Sequence, residues 1–311
     1  DPLWSRGLGD VYKRQVETTE GKPPVTVTGG AALRGMQHEM EVSSAQVKSA
    51  ILLAGLRADG PTTVIEQVPT RDHTERMLRA AGATVQTIRE RVVIQPTDRL
   101  HLERIEVPGD MSSAAFLIIA ATLIPESRIF LRGVGIGAGR TGLLDVLERM
   151  GGRVGVFNRR TTEAGEPVAD LEVAHAELTA SSIRGAEVSG LIDELPILAL
   201  AACAARGKTR VREAEELKFK ESNRLESVYE ALRGVGGHIQ LEDDGWFIRG
   251  VPARLRGGTV NPRGDHRIAM LGAIAGLYSE DGVTITNPEA IDVSFPGFRP
   301  LIEAATAERR R

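Results

Sequence analysis

The chain has 311 residues, 41% of them hydrophobic and 26% charged, with a formal net charge of -3. This balance excludes a disordered polypeptide and, lacking a basic excess, a nucleic-acid binder of the usual kind. The length fits about two domains. No apolar run reaches the roughly 18 residues needed to span a membrane, and no secretory signal is visible, so no membrane association and a cytoplasmic location are expected. Aromatic residues are only 4%, so the cores must be built from Leu, Ile, Val and Ala. The single cysteine, Cys203, excludes an intramolecular disulfide. It lies in the apolar run 198–205 and is expected to be an inert core thiol. The six histidines show no metal-ligand spacing, so neither a structural zinc nor another metal is expected.

Residues 1–15 contain Trp4 and Tyr12 but show no clear period, and they read as a non-native extension outside the fold. Beyond them, four segments repeat one order: polar cap, apolar helix, strand, second helix, glycine, strand. The first begins at Ser43, with helix 45–57, strand 62–67, helix 72–81 and, after Gly82, strand 84–88. The second begins at Asp110, with apolar residues 114–123, strand 128–131 and helix 143–150 before Gly151 and Gly152. The third begins at Asp193, with helix 195–205, strand 209–212 and helix 222–233 before Gly236 and Gly237. The fourth begins at Asp265, with helix 268–277, strand 283–286 and a last helix over 298–305. Three- and four-residue apolar spacing marks the helices, and β-branched alternation with glycine stops marks the strands. Short strands such as 92–94 and 246–248 fill the gaps. Asp72 with Glu75 reads as a capping box.

Each unit is thus an α/β module of the form β-α-β-α-β-β, about 70–80 residues long. One such module buries too little apolar surface to stand alone. A break at Pro108-Gly109-Asp110 divides the chain into 16–107, holding one full module, and 108–311, holding nearly three. This imbalance carries the expectation that N-terminal sequence is missing and that the first domain is a remnant.

The helix starts carry the chemistry. Lys220, Glu221 and Arg224 are expected to open the second helix of the third module, with Lys220 and Arg224 on one face. Free N–H groups there favour an anion, and two cations at that end run against the helix dipole unless an anion or carboxylates offset them. The same spacing also fits a solvated helix start with ordinary Glu–Lys pairs. Asp193, before Glu194-Leu195-Pro196, reads as an N-cap. Asp265 does too, with His266 and Arg267 just inside the next helix. Ser44, Ala45 and Gln46 open the first module, where a hydroxyl and free N–H groups can seat a phosphate. Arg71 precedes a further helix start, and its planar fork suits phosphate. Asp110 and Ser113 read mainly as hinge and cap. The glycines at 133, 135, 137 and 139 miss both nucleotide fingerprints and read as a strand-to-helix turn.

Seven runs in this order resemble the 5-enolpyruvylshikimate-3-phosphate synthase (EPSP synthase) family. They are Ser44 to Leu56, Arg71-Asp72-His73-Thr74-Glu75, Gly109 to Ala114, Ile192 to Pro196, Lys220 to Leu225, Gly264 to Met270, and Ser294-Phe295-Pro296. The 27-residue step from Asp193 to Lys220 matches as well. The resemblance covers about residues 24–305. It implies an inside-out α/β barrel of the enolpyruvyl transferase type, closing on its substrates. The implied activity is that of a 3-phosphoshikimate 1-carboxyvinyltransferase: the enolpyruvyl group of phosphoenolpyruvate passes to shikimate 3-phosphate, and phosphate leaves. It further implies Asp193, Lys220 and Glu221 as catalytic residues. Ser44, Ala45, Gln46, Arg71, Asp193 and Lys220 would meet shikimate 3-phosphate; Gln46, Arg224 and Arg267 would meet phosphoenolpyruvate. No cofactor and a monomeric state are implied.

Departures accompany the resemblance. The family's N-terminal Lys-Ser and Asn-Ala-Gly-Thr segments are absent from this sequence, so the chain is expected to be inactive alone. Asn223 stands where the family usually has Asp, and Val293 where some members have Lys. Two other readings stand beside this one. A UDP-N-acetylglucosamine enolpyruvyl transferase would need a nucleophilic cysteine, which Cys203 does not offer; the other is a non-catalytic binding or scaffold fragment of the same fold.

Overall fold

The computed structural model describes residues 15–19, 22–28, 32–41 and 44–307. The extension expected over 1–15 thus lies outside the described residues except for Gln15. The chain divides into two compact units. Unit one is Asp1–Val107 with Thr161–Pro167, and unit two is Pro108–Arg160 with Val168–Arg311.

In unit one, β1 (Gln15–Thr19) and β2 (Lys22–Thr28) form an antiparallel pair. A four-stranded sheet follows, made of β3 (Gln37–Glu39), β4 (Thr62–Ile65), β5 (Val85–Ile88) and β6 (Arg91–Ile94), in the order β3-β4-β6-β5. The β3-β4 pair is parallel and the other two are antiparallel. Helices α1 (Ala45–Gly55) and α2 (His73–Ala80) complete the module. Its core is small: Ile51, Leu52 and Leu56 meet Val64, Leu78, Val85, Val92 and Ile94.

Unit two repeats this plan. Its elements are α3 (Met111–Leu123), β7 (Arg128–Gly135), α4 (Gly142–Arg149), β8 (Arg153–Thr161), β9 (Pro167–Ala174), β10 (Ser182–Ile183), α5 (Ala186–Ser189), α6 (Leu195–Ala204), β11 (Gly207–Val211), α7 (Arg224–Gly234), β12 (Ile239–Glu242), β13 (Gly245–Gly250), β14 (Gly258–Val260), α8 (His266–Leu277), β15 (Val283–Ile285) and α9 (Phe298–Ala307). The sheet β10-β11-β13-β12 has the strand order and directions of β3-β4-β6-β5. The other two sheets are β7-β9-β8 and the parallel pair β14-β15. Isolated parallel bridges Leu33–Ala58, Thr179–Arg206 and Leu255–Ser279 recur at one position of three modules.

The first helix of each module in unit two is apolar on nearly all sides. Every residue of α6 is buried, and so are most of those in α3 and α8. A helix with no polar face has nowhere stable to lie but inside, and these three pack on one another. Each fully buried Leu or Ile there contributes about 1.5–3 kcal/mol. The amphipathic α4 keeps Leu143, Val146 and Leu147 inward. Helices at the centre with sheets around them give the inside-out α/β arrangement. Helix α9 is exposed along most of its length and is anchored by Phe298, whose ring meets Phe116 and Phe295 edge-on at 6.2 and 5.5 Å.

Several local expectations are corrected. The glycine-rich stretch is no simple turn, because β7 runs through Gly133 and Gly135. The strand skips register between Leu131 and Val134, with Gly133 at φ 65°, a conformation that suits glycine. Asp170 accepts from the Gly133 amide, and Gly109 exchanges backbone bonds with Gly133 and Gly135, so the bulge leaves these groups satisfied. Asp72 and Glu75 form no capping box: Asp72 pairs with Arg76 and Glu75 with Lys48. Helix α7 begins at Arg224, behind a 3-10 turn over Glu215–Phe219 that Leu217 pins to the core. Lys220 is extended there and shares no helix face with Arg224.

Candidate active site

The helix starts of unit two converge on one ion network. Asp265 caps α8, accepting from the Arg267 amide at 2.9 Å, and its carboxylate is fully buried. Arg224, at the first turn of α7, is 1% exposed and gives its Nε to Asp265 at 2.8 Å. Its Nη1 reaches Asp193 at 3.4 Å, and its Nη2 reaches Glu221 and the second oxygen of Asp265. Arg267 donates to the Asp193 carbonyl at 3.0 Å, with its other terminal nitrogen 3.8 Å from the Asp193 carboxylate. Ser222 donates to Asp265 at 3.0 Å and accepts from Ser227 at 3.1 Å.

The two arginines explain how so many acids coexist. Burial pushes the Asp265 carboxyl up, but the hydrogen bond and charge of Arg224, with the Arg267 amide and Ser222, outweigh it and hold it below its usual range. Burial and the neighbouring Arg267 push His266 down, which favours its neutral form. The crowd of cations and carboxylates at these helix starts is therefore resolved by carboxylates from three segments.

Of the expected residues, Asp193, Glu221, Arg224 and Arg267 meet in this network. Lys220 does not join them; its ammonium pairs with Glu216. Asp193 is not the N-cap of α6: that position falls to Glu194, which leaves the Asp193 carboxylate to the arginines. Glu194 is buried and accepts from Ser112 of α3. Asp110 caps α3, accepting from the amide and hydroxyl of Ser113 at 2.8 and 2.9 Å and pairing with Arg140. Burial raises the Asp110 carboxyl, yet Arg140 and Ser113 together lower it below its usual range. Cys203 is buried, which pushes its thiol up to about 12, so it carries no thiolate at neutral pH.

Burial, opposed only in part by Ser112 and Arg140, raises Glu194 above its ordinary 4.5. The sign follows from linkage. As pH climbs past 4.5, the unfolded chain ionises Glu194 while the folded chain resists, so stability falls until the higher folded value is passed. Glu194→Gln keeps an oxygen for Ser112 and removes that loss. Its melting temperature should therefore gain on the parent's as pH rises from 4 to 8, read by thermal melts at each pH. A constant difference would show that Glu194 does not resist ionisation.

In unit one, Ser44 caps α1, its hydroxyl accepting from the Val47 amide at 3.5 Å. Ala45 is half-buried in the first turn, Gln46 is exposed beside it, and Arg71 is half-buried just ahead of α2. The sequence reading missed Lys48, one turn into α1. It is 1% exposed and pairs with Glu66 at 3.0 Å and Glu75 at 2.7 Å. A signal was present, since Lys48 lies on the same helical stripe as the buried Ile51, Leu52 and Gly55.

Among the described residues, no group of three or more His, Cys, Asp or Glu could hold a metal ion, and no helix is long and apolar enough to cross a membrane.

The sequence profile of the family described as EPSP synthase (3-phosphoshikimate 1-carboxyvinyltransferase) matches residues 12–302. A relative named 3-phosphoshikimate 1-carboxyvinyltransferase from Desulforudis audaxviator is 48% identical over 285 residues, 92% of this chain and 66% of the relative. One of the same name from Syntrophomonas wolfei is 43% identical over 307 residues, 99% of this chain and 70% of the relative. The chain thus spans about two thirds of the length of these relatives. The EPSP synthase structure from Acinetobacter baumannii superposes with a TM-score of 0.86 at 38% identity, covering 97% of this chain and 69% of the other. The enolpyruvyl transferase NikO from Streptomyces tendae shares the fold, with a TM-score of 0.74 at 21% identity over 97% of this chain and 70% of NikO.

Proposed function

We propose, from the premise that this chain belongs to the EPSP synthase family, that it carries the 3-phosphoshikimate 1-carboxyvinyltransferase site residues of unit two and the shikimate-phosphate side of unit one. The observation that supports this most is the Asp193–Arg224–Arg267–Glu221 network at adjoining helix starts. Two guanidinium groups held there suit the carboxylate and phosphate of phosphoenolpyruvate. In this reading Asp193 and Glu221 occupy the places on Arg224 that an incoming anion takes over. Asp193 then removes the proton from the attacking ring hydroxyl. Glu221 delivers a proton to the methylene carbon and takes one back as phosphate leaves. Lys220, freed from Glu216, lies between the two substrates and steadies the charge that develops. Ser44, Ala45, Gln46 and Arg71 hold shikimate 3-phosphate, and Gln46 also reaches phosphoenolpyruvate.

The same reading has the protein act as a cytoplasmic monomer without metal or organic cofactor. The uridine-sugar alternative is not favoured, since Cys203 is buried and protonated.

Calorimetric titration of this chain with shikimate 3-phosphate tests the reading. Heat of binding is expected, and Arg71→Ala should weaken it about 10- to 100-fold, the range for a lost hydrogen bond to a charged group. A folded sample that gives no heat, or binding indifferent to Arg71→Ala, favours the scaffold reading.

A further inference from the structure

The buried lysine of unit one has no part in the chemistry just proposed, yet it joins every segment that the phosphate side uses. Its Nζ lies 3.0 Å from Glu66 Oε2, 2.7 Å from Glu75 Oε1 and 3.5 Å from the Thr70 carbonyl. The other Glu66 oxygen accepts from the Thr70 amide at 3.2 Å and from the Thr70 hydroxyl. Three segments therefore meet on one ammonium: α1, which opens with Ser44, Ala45 and Gln46; the loop from Glu66 to Thr70, which leads into Arg71; and α2, through Glu75. A second tie, Ser49 to Thr74 at 2.6 Å, runs between the two helices on the same side.

The burial makes this arrangement selective. Lys48 and Glu75 are 1% exposed and Glu66 is 5% exposed, so each charge depends on the others for want of water. Two carboxylates share one ammonium, Arg76 lies near enough to Glu75 to feel its charge, and Glu75 Oε2 is buried without a hydrogen-bond partner. The cluster holds together only while the lysine stays between the acids. The loop cannot shift without breaking a Glu66–Thr70 bond, and Thr70 is the residue next to Arg71.

We propose that Lys48, through Glu66 and Thr70, is a positioning residue for the phosphate side of the site: it fixes the Arg71 backbone relative to the N-terminus of α1. This rests on the substrate reading above for what Arg71 binds, but not for the clamp itself. Lys48 touches no substrate; it acts through Arg71.

The test pairs two independent readouts on the full chain. Because Lys48→Met strips the counter-charge from two buried acids, the milder Glu66→Gln is made beside it. Shikimate 3-phosphate affinity is measured by calorimetry in Lys48→Met, Glu66→Gln, Arg71→Ala and the double variant Glu66→Gln/Arg71→Ala. Because it acts through Arg71, Glu66→Gln should weaken binding by at most the about 10- to 100-fold lost in Arg71→Ala. The double variant should then bind no more weakly than Arg71→Ala alone, because a residue that acts through Arg71 has nothing left to position. Additive losses would overturn the proposal in favour of a general structural role. Amide hydrogen exchange is followed at Thr70 in the same variants without ligand. Exchange at least 10-fold faster at Thr70, with α1 and α2 still protected, supports the clamp. Unchanged exchange there overturns it, whatever the calorimetry gives. If the parent chain fails to bind shikimate 3-phosphate, the substrate reading falls while the exchange result still decides the clamp.

Discussion

Replacing Arg224 by Met is expected to lower the stability of unit two by about 3–5 kcal/mol, the cost of removing one partner from a buried ion network. The size follows from what the arginine leaves behind. Asp265 is fully buried, Asp193 is largely so, and Glu221 is half exposed, and all three lean on one guanidinium. Arg267 compensates only part of this, reaching Asp193 and lending Asp265 an amide rather than a charge. Arg224→Lys should recover little, because a point ammonium cannot donate from Nε, Nη1 and Nη2 to separate carboxylates at once. Urea unfolding gives the measurement, with the midpoint falling at unchanged slope.

The acid limb provides an internal check. Asp265 is held below its ordinary 3.8, so its contribution is fully present above that value and is lost as pH falls through the lower folded value. Removing Arg224 removes the largest cause of that depression, so the variant should lose this part of its acid dependence. A variant within about 1 kcal/mol of the parent would mean that water replaces the guanidinium and that the network is worth no more than a surface ion pair.

The site is half legible in the sequence, and the same residues show why. The central helices were plain, because a run such as 195–204, apolar on every side, admits only an interior position. The candidate acids and arginines were plain as residues at module starts. Their pairing was not. Arg224 lies 41 residues from Asp265 and 31 from Asp193, and nothing local says which acid it meets. Local rules even assigned the α6 cap to the wrong neighbour, since Asp193 and Glu194 both fit before Leu195-Pro196. A distant Ser112 draws the Glu194 side chain into the core and leaves Asp193 to the arginines, a tertiary choice that no spacing records. The helix expected from 222 starts later for a related reason. The buried Leu217 turns the chain through a 3-10 segment first, and Lys220 ends in extended backbone. Lys48 lies on the buried stripe of α1, but the acids that admit a lysine there come from outside that helix, which local spacing does not record.

Trp246→Ala should cost about 3–5 kcal/mol, the range for truncating a buried aromatic. Trp246 is fully buried, the largest side chain sealed from solvent among the described residues. Its ring fills the space between β13 and α7, and its indole N–H donates to the Leu225 carbonyl at 2.9 Å. Leu225 follows Arg224, so the indole holds the first turn of α7 from behind while Asp265 and Glu221 hold its guanidinium in front. Trp246→Phe separates the two contributions. It keeps most of the apolar volume but removes the indole donor to the Leu225 carbonyl, which keeps its bond within α7, a cost of about 0.5–1.5 kcal/mol on top of the smaller ring. The fluorescence of Trp246 reports on the same place: the sequence holds only one other tryptophan, Trp4, so a Trp4→Phe background isolates it. In that background, Arg224→Met and the parent should show the same buried, blue-shifted emission at low urea, with the variant reddening at lower urea. An emission already red-shifted in folded Arg224→Met would mean that the ion network, not the indole, sets the packing behind α7.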